Sequence, residues 1–167
     1  MEYFLLIVEF HRIKRWKILK AIGISLVLGL CVFFFSDVEV YKPHADSYIE
    51  SIITVLGILI GFSISVFAIL LSVENDNIRE AKKRKTEIIM YNKPLYLYES
   101  LIIELAYVII VQGLLLVANF VYPLFIDVST VKWKLFFSID ISLMTYSIIL
   151  LLRNVLNFYF ILTRKEE

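Results

Sequence analysis

The chain has 167 residues, 60% of them hydrophobic and 20% charged, with a mean hydropathy of +0.80. Soluble domains carry about 45–50% apolar and about 25% charged residues, and here the apolar excess sits in long runs, with no charge at all across residues 51–73 or 105–126. A helix of about 20 apolar residues crosses a bilayer core of ~30 Å, so the soluble globular and disordered classes are excluded and the chain reads as an integral membrane protein.

Residues 1–17 are apolar through Phe10 and basic from His11. They predict a cytosolic or interfacial segment that buries Phe4, Leu5, Val8 and Trp16 while its basic side chains meet anionic head groups. The first span, 18–36, has no A-x-A cleavage pattern and is expected to be retained. It carries Ala21, Ser25 and Gly29 at intervals of four. The single cysteine, Cys31, has no partner for an internal disulfide.

The second span, 51–73, holds a face of small residues. At 100° per residue Thr54, Gly57, Gly61, Ser65, Ala68 and Ser72 fall within an arc of about 80°. Small residues let helix backbones approach closely in lipid, where hydrophobic exclusion does not drive association. Three uses stay open: packing within one bundle against the Ala21/Ser25/Gly29 face, packing between subunits, or lining a pore.

Residues 74–104 read as a cytosolic basic helix–turn. Helical spacing over 78–91 puts Ile78, Ala81, Ile88 and Ile89 at its apolar positions, and Pro94 suits the first turn of the third helix. Arg79, Lys82, Lys83, Arg84 and Lys85 concentrate positive charge there. They suit a stop-transfer and head-group anchor, a dock for an acidic protein surface, or a contact to nucleic-acid phosphate. The flanking Glu80 and Glu87 dilute a phosphate site, and aromatic–basic interleaving for base stacking is missing.

The third span, 105–126, has Pro123 near its far end, and the fourth covers 135–162, followed by a tail at 163–167. The short connection from Asp127 to Lys134 makes these two helices antiparallel neighbours. Glu104, Gln112 and Asn119 share one arc of about 80° on the third helix, and Asp140, Ser147 and Asn154 share a stripe on the fourth, with Tyr146, Arg153 and Asn157 beside it. A charge at membrane depth costs at least ~2.5–3.5 kcal/mol, so each such residue is a functional candidate. Arg153 lies ~15 Å of helix from the cytosolic end of its span and Glu104 ~9 Å beyond Tyr98 on its own. The two are expected to pair in the inner half, with Gln112 or Asn157 completing the hydrogen bonds, as a static bridge or as part of a gate or ion path. Asp140, five residues into its span, is expected to face outer-leaflet water. Trp16 and Trp133 fit the two aromatic belts, as do Tyr41, Tyr48, Tyr96, Tyr98, Tyr122 and Tyr159.

Orientation follows from lysine and arginine bias. Setting Arg153 aside, 13 basic residues fall on one side and 3 on the other, which puts both termini in the cytosol. The expected fold is therefore an all-α four-helix transmembrane bundle over 18–162 with short cytosolic helical extensions. Its spans leave 75 residues, too few for a separate catalytic or ligand-binding domain. His11 and His44 fall on opposite sides of the membrane, and phosphate-loop, H-E-x-x-H and G-x-S-x-G motifs are absent. No catalytic residue, metal or cofactor is expected, and the broken helix pairs that point to a transporter are missing.

In organisation (four spans, little outside them, a basic turn between spans two and three) the chain resembles the small four-helix membrane proteins of bacterial anti-phage defence systems. The Kiwa membrane subunit is most similar and the Hailong channel effector second. The first resemblance implies an oligomeric membrane sensor that holds a cytosolic DNA-binding effector, and the second a gated ion channel. Expected partners are the bilayer of the bacterial inner membrane, further copies of the chain (taken as a tetramer) and a cytosolic protein, with nucleic acid reached only through that protein.

Overall fold

The computed structural model describes residues 15–35, 45–90, 93–125 and 131–163. The expected interfacial segment with Phe4, Leu5 and Val8, the belt residue Tyr41, the histidines His11 and His44, and the end of the tail lie outside the described residues, as does the side chain of Trp16. Five α-helices and one β-hairpin are described: α1 (Arg15–Phe35), α2 (Ala45–Ser72), α3 (Asp76–Lys83), β1 (Lys85–Met90), β2 (Lys93–Tyr96), α4 (Leu97–Val121) and α5 (Val131–Thr163). A 3-10 turn at Tyr122–Leu124, with Pro123 in its first positions, ends α4; proline there cannot continue the helical bond pattern.

Three of these helices are long and apolar enough to cross a membrane, over Ser47–Ser72, Leu97–Leu124 and Lys132–Thr163, and Leu19–Phe35 of α1 is a shorter apolar helix. The burial pattern differs from that of a water-soluble domain. Leu114, Phe120, Leu124, Phe125 and Phe160 are exposed, while Ser63, Glu104, Gln112, Asn119, Asp140, Ser147 and Asn154 are buried. In hydrocarbon a polar side chain gains by facing another helix and a leucine loses nothing by facing outward. The fold is compatible with a multi-pass helical membrane bundle.

The helices pack in the order α1, α5, α4, α2, with α4 touching both α2 and α5 and α1 resting on α5. The antiparallel α4–α5 neighbours expected from their short connection are present. The Ala21/Ser25/Gly29 face of α1 is buried, but against α5 rather than α2. The Ser142 hydroxyl donates to the Ser25 carbonyl at 2.6 Å, and a Cβ on Gly29 would sit 2.8 Å from the Ser138 carbonyl oxygen. Of the three uses left open for the α2 stripe, packing against this face is not the one seen. Small residues on α5, Ser138 and Ser142, supply the close approach that the α2 stripe was expected to supply.

At the end of the bundle where α2 finishes and α4 starts, called here the basic end, α3 and the hairpin form a clasp. The Asn75 side chain accepts from the Ile78 amide at 2.8 Å and so caps α3. Ile78 turns inward onto a core with Leu70, Leu101, Leu105 and Phe158, and Ala81 is buried as well. Asn77 Nδ2 donates to the Leu162 carbonyl at 2.9 Å, and the Tyr98 hydroxyl to the Leu70 carbonyl at 3.1 Å. Both acceptors belong to the last turns of α5 and α2, where helix carbonyls lack intrahelical donors. The clasp thus closes the end of α5, and the first turn of α4 closes the end of α2.

The helix expected over 78–91 is corrected. Helix α3 stops at Lys83 and Arg84 is extended. Thr86, Ile88 and Ile89 are β-branched and favour strand, and only residues 91 and 92 separate β1 from β2, a connection suited to a hairpin. The strands pair antiparallel, Lys85 with Tyr96 and Met90 with Lys93, with a bulge between. Pro94 accordingly sits in β2, not in the first turn of α4. That turn begins at Leu97, and the Glu99 carboxylate accepts from the Tyr96 amide at 3.0 Å. The far end of the bundle carries an aromatic stack: Tyr122 lies 3.7 Å over Phe136, and Trp133 5.2 Å from Phe137. Trp133 and Tyr122 are buried among helices.

Candidate functional site

Helix α4 turns three polar side chains inward, and each meets a partner at a different depth. Toward the basic end Arg153 Nη2 donates to Glu104 Oε1 at 2.7 Å. In the middle the Ser63 hydroxyl of α2 shares its one proton between Gln112 Oε1 at 2.9 Å and its own Leu59 carbonyl at 2.8 Å. Toward the far end Asn119 Nδ2 donates to Asp140 Oδ1 at 2.8 Å and to the Leu115 carbonyl at 2.9 Å. From Glu104 to Asn119 is ~22 Å along the axis, most of a ~30 Å bilayer core. On α5, Asp140, Ser147 and Asn154 are all buried on the facing stripe. Tyr107 and Tyr146 share a hydrogen bond between the middle and inner levels. The result is a polar seam of three separate levels, two between α4 and α5 and one between α4 and α2, with buried Leu105, Val108 and Leu115 between them.

The Glu104–Arg153 pair is the one seam contact between opposite formal charges. Glu104 is buried and the Arg153 side chain is 23% exposed, so the carboxylate is drawn out of solvent and the guanidinium is reached from one side. Gln112 does not complete this pair, as was expected of it, because Ser63 holds it one level further along. Asn157 is half-buried near the same end. Asn154, nine-tenths or more buried beside Arg153 in the chain, has no protein hydrogen-bond partner on either amide atom, and neither do Gln112 Nε2, Arg153 Nε and Asp140 Oδ2. Buried amides without partners are uncommon and costly.

Asp140 corrects a second expectation. It is 2% exposed and bonded to α4 rather than to solvent, because the α4–α5 contact continues to the aromatic stack at the far end and covers it. Replacing Asn119 with leucine removes the carboxyl's donor and should destabilise the bundle by about 1–3 kcal/mol, while the double change of Asn119 and Asp140 to leucine should recover most of that loss. Thermal unfolding in detergent micelles reads both.

The small-residue stripe is placed differently from the seam. Thr54, Gly57, Gly61, Ser65, Ala68 and Ser72 are all exposed on the outer side of α2, and a Cβ on Gly57 or Gly61 would meet nothing within 4 Å. The hydroxyls of Thr54 and Ser65 turn back to the Glu50 and Gly61 carbonyls. At the basic end Arg79, Lys82, Lys83, Arg84 and Lys85 are exposed on the clasp. Arg79 lies 3.5 Å from Asp76 and 3.9 Å from Glu74, and Lys82 stands 5.1 Å over the Tyr98 ring. Among the described residues no cluster of three or more His, Cys, Asp or Glu is placed to hold a metal.

Sequence reasoning missed Ser63 and the carbonyl contacts of Asn77 and Tyr98. Ser63 lies some 160° around α2 from the Gly61/Ser65 stripe, so its isolation from the other small residues was the available signal. The fold and seam define a protein of mainly helical character whose apolar helices suit a bilayer and whose polar groups face one another. No protein-family model matches this chain, and no curated protein or solved structure matches it.

Proposed function

We propose that this chain is a non-enzymatic, homo-oligomeric subunit of a bacterial inner membrane, with both termini cytosolic, that acts as a sensor or anchor and recruits a cytosolic effector. The anti-phage setting comes from the resemblance in organisation. The observation that carries the docking role is the clasp: five exposed basic side chains sit along a short helix and hairpin fastened to the start of α4 and the end of α5. A dock tied to two helix ends feels any shift between them, which is what a sensor needs. An acidic surface on the partner is its natural complement. The outward stripe of α2 offers the close-packing face for a second subunit.

The test is gentle extraction of the tagged full chain from its native locus followed by native mass analysis. The reading requires a homo-oligomer carrying a stoichiometric cytosolic protein, released when Lys82, Lys83, Arg84 and Lys85 are changed together to glutamine. Gly61→Leu, whose Cβ would meet nothing within 4 Å in its own bundle, should dissociate the oligomer and leave the fold intact. A bare monomer overturns the proposal.

A second reading is a gated channel or pore-forming effector that depolarises the cell, favoured by the polar seam and its unpartnered amides. Reconstituted protein would then carry ion flux in liposomes, and its unrestrained expression would arrest growth.

A further inference from the structure

A cavity of about 170 Å³ opens at the basic end between α3, the start of α4 and the end of α5. Its walls are mainly apolar, from Ala81, Leu97, Phe160 and Ile161, and Arg84 stands among them. Phe160 is 66% exposed and continues a ridge with Leu152 and Leu156, exposed one helical turn apart along α5. The cavity thus extends the outward apolar surface of a spanning helix to a lining that includes the basic residue Arg84. That order of chemistry, hydrocarbon and then cation at the end of the span, matches the order within one phospholipid.

We propose that this cavity is a binding site for an anionic phospholipid of the cytosolic leaflet, with phosphatidylglycerol as the fitting head group. One acyl chain lies along Leu152, Leu156 and Phe160, and the phosphate takes paired hydrogen bonds from Arg84, whose planar fork suits phosphate oxygens. Glu80 and Asn77 also border the cavity. A carboxylate at the rim disfavours a bare polyanion but accepts from hydroxyl donors, which selects a glycerol head group over a phosphomonoester. The leaflet assignment rests on the proposed orientation, since the cytosolic leaflet is the anionic one; the site itself does not. A bound lipid bridges α3 and α5 and so fastens the clasp to the bundle.

The test is native mass spectrometry of the full chain in detergent, supplied with equimolar phosphatidylglycerol and phosphatidylcholine of identical acyl chains. One phosphatidylglycerol per subunit should be retained at tenfold or greater preference. Arg84→Gln should erase that preference, and Phe160→Ser should lower retention of both lipids without changing any charge. Lys93→Gln, which removes an equal charge from the neighbouring hairpin, should leave retention as in the unmodified chain. Equal retention of the two lipids overturns the site, and so does a loss with Lys93→Gln as large as with Arg84→Gln, which would indicate diffuse attraction. Displacement by millimolar inorganic phosphate would make it a phosphate site instead. If Arg84→Gln fails to fold, the Phe160→Ser arm decides. Partner recovery scored in the same samples separates failure of the lipid site from failure of the docking reading.

Discussion

Reversing Glu104 to arginine, or Arg153 to glutamate, should each abolish assembly of the bundle, and reversing both together should restore it. The 2.7 Å contact joins a buried carboxylate to a partly covered guanidinium. Removing one partner of a buried pair costs about 3–5 kcal/mol because the other charge is stranded. A reversal is harsher, since it sets like charges at hydrogen-bond distance inside a medium that screens poorly. The double reversal regains the attraction, with some loss because the Glu104 site must then hold the longer side chain. Extraction yield and thermal unfolding in micelles measure all three variants. A further pair of changes separates structure from function. Replacing both residues by methionine removes the desolvation penalty along with the attraction and should fold as well as the parent. Retained partner recruitment in that variant assigns the pair to helix register alone, and lost recruitment or lost ion flux assigns it to signalling or gating.

That pairing was legible in the sequence because depth along a helix is simple arithmetic. Counting residues from the ends of two antiparallel spans places Glu104 and Arg153 at similar heights, and the cost of a lone charge in hydrocarbon does the rest. The apolar runs were legible for the same reason: length and absence of charge are the signal itself. What the sequence concealed were choices between partners. Ala21, Ser25 and Gly29 announced a face that wants close contact, yet nothing in their spacing distinguishes α5 from α2 as the surface received. Likewise Gln112 had two candidate levels, and a single hydroxyl on α2 determined which. The hairpin was hidden by a coincidence of spacing. Ile78 and Ala81 do lie on a helix, and Ile88 and Ile89 extend its period by chance, while the β-branched run from Thr86 argued for strand.

The two kinds of small-residue surface found here do different things, and their difference is physical. The α1 face is filled, with the Ser138 carbonyl and the Ser142 side chain where a methyl group would go, whereas the α2 stripe is open. A protein that used glycine only for flexibility would show no such division. The filled face fixes α1 onto α5, and α5 carries Asp140, Asn154 and Arg153 of the seam. Displacement of α1 therefore reaches the polar seam through a single helix, whereas a new contact on the α2 stripe reaches it through Ser63 and Gln112.

Gly29→Ala should accordingly weaken the bundle while Gly23→Ala does not. At position 29 the added carbon would stand 2.8 Å from the Ser138 main-chain oxygen, 2.9 Å from the Ser142 hydroxyl and 3.0 Å from its Cβ. A main-chain atom in the middle of a helix does not swing aside, so α1 must move off α5 as a body. Overpacking of this kind costs about 1–3 kcal/mol, and the shift also stretches the 2.6 Å bond from Ser142 to the Ser25 carbonyl. At position 23 the same carbon meets nothing within 4 Å, and alanine gains about 0.5–1 kcal/mol of helix preference over glycine. Thermal midpoints in micelles should therefore move in opposite directions for the two variants. Adding Ser142→Gly to Gly29→Ala removes two of the three close contacts but not the carbonyl, so it should rescue only part of the loss. Full rescue would mean that the side chain, rather than the Ser138 backbone, sets the distance between the two helices.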